Sequence, residues 1–139
     1  MMKKMWEPLQ KEKTQIEHFR QAVNKRYDYQ LENYEDLHRW SVSLPDQFWE
    51  EIWKQNDIIH HSSYTEIVDD AKKMPGAKWF SGATLNFAEN HLRYRDDRIA
   101  IIFKVEGQSP LKLSYKDLYE SVEKMASFLK EKGVKKGDR

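Results

Sequence analysis

Cysteine is missing from all 139 residues, which excludes a disulfide framework and any thiolate metal site and fits a reducing compartment. No glycine-rich phosphate loop is present, because the five glycines at 76, 82, 107, 133 and 137 stand singly. The Gly-x-Ser-x-Gly motif is also absent, so neither a serine elbow nor a thiol offers a nucleophile for covalent acyl chemistry, which argues against a hydrolase. No Asn-x-Ser/Thr acceptor occurs. No run approaches the ~18 apolar residues of a membrane span. Met1 to Pro8 carries basic residues, but the charged Leu9-Gln10-Lys11-Glu12-Lys13 follows where a signal peptide needs an apolar stretch. A soluble protein is expected. Neither sign of charge prevails: 24 basic and 23 acidic residues, mixed along the chain, leave a net charge of +1 and no footprint of a nucleic-acid binder.

Aromatic residues are plentiful at 13%, too many for a solvated tail, beside 39% hydrophobic and 34% charged residues. The first half reads as aromatic-rich helices. Thr14 and Glu17 have the spacing of a capping box, and Ile16, Phe19, Val23 and Tyr27 follow on one face. A second helix carries Tyr34, Leu37 and Trp40. A third, opened by Pro45, sets Phe48, Trp49, Ile52 and Trp53 against Glu50, Glu51 and Lys54. Residues 56–78 show no clear period and contain the breaker Pro75-Gly76, so a long irregular connection is expected. Asn86 and Glu89 predict a helix start, with the helix running to about Tyr94.

The second half changes character. Ile99 to Val105 is a continuous apolar, β-branched run, as in a strand covered on both faces, and Leu111 to Leu113 reads as its returning hairpin strand across Glu106-Gly107-Gln108-Ser109-Pro110. Ser114 with Asp117 predicts a capped helix whose face holds Leu118, Val122, Met125, Ala126 and Leu129, ended by Gly133 with Val134 folding back. A strand, a helix and a polar turn begin a βαβ unit whose closing strand is not reached, so an incomplete α/β protein is expected.

Candidate sites are few. His60-His61 beside Asp57, Ser62 and Ser63 lack the convergent spacing of a metal site. His18, His38 and His91 fall in or next to helices. Glu50-Glu51, Asp69-Asp70 and Asp96-Asp97 read as solvated faces, without the separated pair in unlike surroundings that acid–base work needs. Tryptophans 6, 40, 49, 53 and 79 read chiefly as core, with a ligand groove as the alternative. Lys135 and Lys136 suit a helix C-terminus. The chain therefore offers no catalytic, cofactor-binding or metal-ligating residue.

Five blocks carry a family resemblance. Trp6-Glu7-Pro8, Tyr34-Glu35-Asp36-Leu37-His38-Arg39-Trp40-Ser41-Val42 and Phe48-Trp49-Glu50-Glu51-Ile52-Trp53, in that order, resemble the start of acetoacetyl-CoA synthetases. Trp79 to Asn90 is similar to the next block of that family, and Gly133-Val134-Lys135-Lys136-Gly137-Asp138-Arg139 to a turn of the wider adenylate-forming superfamily. The resemblance implies an α/β architecture in which an extended segment (1–12) and a helical region (13–94) cover the first hairpin and helix (95–139) of an AMP-binding large domain. It implies a cytosolic ligase joining acetoacetate to coenzyme A through an acyl-adenylate, with ATP and Mg²⁺. The phosphate loop, ribose-binding acids and catalytic lysine of that family fall beyond Arg139. This chain alone is thus expected to be inactive, binding none of ATP, Mg²⁺ or coenzyme A, with small-molecule substrates met through the part it lacks. A short interaction module or pseudoenzyme, and acetate or another short acid as substrate, are the alternatives. Trp79, Leu85, Asn86 and Asn90 are expected to fasten the cover to the body.

Overall fold

A computed structural model of the chain describes residues 5–138. Residues 1–4 and 139 lie outside the described residues, and with them the start of the expected extended segment and the end of the polar turn. The chain divides into two units, one ending at Leu85 and the other beginning at Asn86.

The first unit opens with a 3₁₀ turn, Lys11–Lys13, and three helices: α1 (Gln15–Tyr27), α2 (Tyr34–Ser43) and α3 (Pro45–Gln55). Thr14 caps α1 by accepting the Glu17 backbone N–H, and Asp28 ends it in the left-handed region at φ 54°. Asn24 secures the connection that follows: its side chain donates to the Leu31 carbonyl and accepts the Leu31 N–H, each at 3.0 Å. Asn33 then caps α2 through the Asp36 N–H at 3.0 Å, while the Asp36 carboxylate accepts the Glu32 N–H. Pro45 stands at the start of α3, where a missing N–H costs nothing.

The apolar stripes of these helices meet in one core. Val23, Leu37 and Trp40 are buried there, with Phe19, Tyr27, Leu44 and Phe48 packed around them. The rings of Phe19, Trp40 and Phe48 contact one another with centroids 5.9 to 6.3 Å apart.

The connection from 56 to 78 is not wholly irregular, which corrects the reading from periodicity. Within it lies β1 (Glu66–Val68), antiparallel to β2 (Trp79–Ser81), with Glu66 opposite Ser81 and Val68 opposite Trp79. Two strands of three residues are too short to show alternation, and a ten-residue loop separates them. Asp69 closes that loop, accepting the Lys78 N–H at 2.8 Å and pairing with Lys73 at 2.7 Å.

In the second unit Asn86 caps α4 (Phe87–His91), which ends three residues sooner than expected. Strands β3 (Ile99–Phe103) and β4 (Leu111–Ser114) form an antiparallel hairpin, with an irregularity between Ile99 and Ile101. Ser114 ends β4 and starts α5 (Tyr115–Glu131) through a complete capping box with Asp117. Gly133, at φ 80°, closes the helix in a Schellman motif: its N–H reaches the Lys130 carbonyl and the Val134 N–H that of Leu129.

Candidate functional site

Each polar cluster singled out in the sequence has a structural use. His60 turns Nδ1 toward the Ile58 carbonyl at 2.8 Å and packs on Trp53, and the His61 backbone N–H donates to the Thr84 carbonyl. Asp96 pairs with Arg98 in a local turn, and Asp69 serves its loop. Among the described residues no group of three or more His, Asp or Glu side chains is placed to hold a metal ion. Asn86 spends its side chain capping α4, and the Asn90 side chain donates to the Asn86 carbonyl and accepts from Arg93.

The Glu50-Glu51 pair differs from its expected role as a solvated face. Glu51 is wholly buried, with Oε1 2.9 Å from Arg26 Nε and Oε2 accepting from Gln55. Glu50 accepts from the Tyr64 hydroxyl at 2.9 Å and from Tyr27 at 3.4 Å, and pairs with Lys54 at 2.8 Å. Burial pulls the Glu50 carboxyl up, but Lys54 and the two tyrosines outweigh it and hold it below its ordinary value. Burial, then the Glu51 and Glu50 charges, push the Tyr27 phenol up. Two carboxylates therefore knit α1, α3 and the Tyr64 segment together. Beside them Trp53, Tyr64 and Phe80 form an aromatic cluster with centroids 4.7 to 5.5 Å apart. Phe80 is held there at φ 50°, a conformation that a bulky residue keeps only when packing imposes it.

The surfaces left over are apolar. In the first unit Val42, Trp49 and Trp79 remain exposed, and the two indoles meet edge to face at 6.2 Å. The stripe read as core on α3 is thus split, since Phe48 enters the core and Trp49 does not. In the second unit β3 exposes apolar side chains on both faces, Ile101 and Phe103 on one and Ile102 on the other, with Ile102 at 65%. Val122, Met125 and Leu129 continue an exposed stripe along α5. A continuous β-branched strand is ordinarily covered on both sides, and here both faces remain exposed.

Residues 34–91 match the family model of the acetyl-coenzyme A synthetase N-terminus. Acetoacetyl-CoA synthetase of Macaca fascicularis is 42% identical over 138 residues, which cover 97% of this chain and 20% of the relative. The solved acetoacetyl-CoA synthetase of Streptomyces lividans superposes with a TM-score of 0.78 at 34% identity, over 92% of this chain and 20% of that one. In sequence and fold, the chain matches the amino-terminal region of acetoacetyl-CoA synthetases. Malonamoyl-CoA synthetase of Penicillium aethiopicum is 39% identical over 97% of this chain, so synthetases named for different acids share the segment. The chain spans about a fifth of the length of the acetoacetyl-CoA synthetases it matches. Among the described residues no helix is long and apolar enough to cross a membrane.

Proposed function

We propose that the chain is the amino-terminal part of a ligase that joins acetoacetate to coenzyme A, with formation of an acyl-adenylate from ATP and its displacement by the thiol. Carrying this reading is the 42% identity that runs through 97% of the chain. Residues 13–94 act as the helical cover and 95–139 open the AMP-binding domain, so the part played here is structural and no catalytic, cofactor or metal residue resides in it. The exposed faces of β3 and α5 are what the following strands and helices of such a domain would cover.

ATP, Mg²⁺ and coenzyme A belong to the whole ligase on this reading. Among the described residues no group of three or more His, Asp or Glu side chains is placed to hold a metal ion, and Gly76, Gly107, Gly133 and Gly137 stand apart in turns. A cytosolic site of action accords with the absence of cysteine.

The exposed apolar faces also favour a second reading, a short module that binds another protein through the same surfaces. The acid is tested by ATP–pyrophosphate exchange in the longest natural polypeptide that contains this sequence, with acetoacetate, acetate and malonamate supplied in turn. Preference for acetoacetate supports the proposed substrate. Preference for either other acid replaces it, and no exchange with any acid favours the module.

A further inference from the structure

We propose that the amino-terminal strap Met5–Leu9 closes over the groove between α1, α2 and α3, with Trp6 as the side chain that fills it. The groove has a volume of about 450 Å³, and its floor is Ile16, Phe19, Tyr34, Leu37, Phe48 and Ile52. None of its eleven lining residues is Asp, Glu, Lys or Arg, in a chain of which 34% is charged. Such a wall suits an uncharged, apolar occupant and gives no hold to an ionic one.

The strap has the matching chemistry. Met5, Trp6 and Leu9 are 98%, 78% and 103% exposed, three large apolar side chains that contribute nothing to the fold while they stay in water. A tryptophan covers about 150–250 Å² when it is buried, which gives the contact its main driving force. Tethering supplies the rest. Gln15 and Ile16, in the first turn of α1, line the groove, and the five steps from Trp6 to Lys11 can span roughly 17 Å when extended. That length lets the strap pass the Lys11–Lys13 turn and lie along the groove, where the short tether makes docking intramolecular. In the open arrangement Glu7 pairs with Lys11, an exposed interaction of the weak, screened kind.

The absence of cysteine permits a direct test in the 139-residue chain. Glu7→Cys is combined with Ser41→Cys, which stands on the groove wall, and disulfide formation is followed under mild oxidation. An intrachain bridge is expected about tenfold faster than in the same double variant carrying Trp6→Ala, at a rate independent of protein concentration. Equal rates with and without Trp6, or bridges only between chains, overturn the proposal; the second result makes another copy the occupant. A nitroxide on Glu7→Cys alone is the independent check, since it leaves the groove intact. Broadening of the Ile16, Leu37 and Ile52 amide signals supports closure, and broadening confined to residues 8–15 overturns it.

Discussion

Arg26 Nε lies 2.9 Å from Oε1 of Glu51, whose side chain is completely buried. The approach is that of an ion pair without a well-aligned hydrogen bond, so the carboxylate relies on charge for what a donor would otherwise supply. Arg26 is the cation that permits a carboxylate to sit between α1 and α3, and its outer edge stays in water.

Replacing Arg26 by Met therefore leaves a buried negative charge without its partner. The expected loss is about 2–3 kcal/mol, below the range for a fully buried pair because the guanidinium is half exposed. Replacing Glu51 by Met as well should recover most of it. Urea unfolding followed by tryptophan fluorescence measures both variants; equal stability of Arg26→Met and the unaltered chain contradicts the assignment.

Acid removes a different contact. The Arg20 hydrogen bond, helped by Gln21, lowers the Glu17 carboxyl from 4.5 to about 2. A folded value below the unfolded one means that this stabilisation is present above about pH 4.5 and is lost as pH falls toward 2. Glu17→Gln should flatten the stability profile across that interval, read as the urea midpoint at successive pH values.

At the alkaline end the sign reverses. Burial, then the bond to Glu50, raise the Tyr64 phenol from 10.0 to about 12. The folded chain holds the proton more firmly, so the contribution is present below pH 10 and lost as pH rises through 12. Tyr64→Phe should abolish that alkaline loss and cost about 1 kcal/mol at neutral pH through the missing hydrogen bond.

Two glycines at positive φ separate strain from crowding. A Cβ at Gly82, φ +87°, would meet Thr65 Oγ1 at 3.3 Å, whereas one at Gly107, φ +75°, meets nothing within 4 Å. Gly107→Ala is expected to cost about 1 kcal/mol from backbone conformation alone. Gly82→Ala should cost more, about 2 kcal/mol, because the Thr65 side chain also bonds the Ser81 carbonyl and must yield. Thermal unfolding of the two variants gives the order.

Local chemistry made much of this architecture legible in the sequence. Thr14, Asn86, Ser114 with Asp117, and Gly133 mark helix ends through bonds reaching no more than five residues, Pro45 does so by its ring, and each marks an end in the structure. What stayed hidden depends on distant partners. The β1–β2 pair is fixed by a register across a loop, and the burial of Glu51 by Arg26, 25 positions earlier in the chain. Trp49 and Phe48 look alike as neighbours in one aromatic stripe, yet only Phe48 faces the Val23–Trp40 core. The apolar run of β3 signalled a strand meant to be covered, but no pattern in the sequence says by what.

The central claim, that this segment is a structural part of a ligase without chemistry of its own, is tested most directly by acetoacetate-dependent pyrophosphate release from ATP. The 139-residue chain and the longest natural polypeptide containing it are compared at equal concentration. Release by the longer polypeptide alone is the predicted result. Turnover by the 139-residue chain itself would contradict the account.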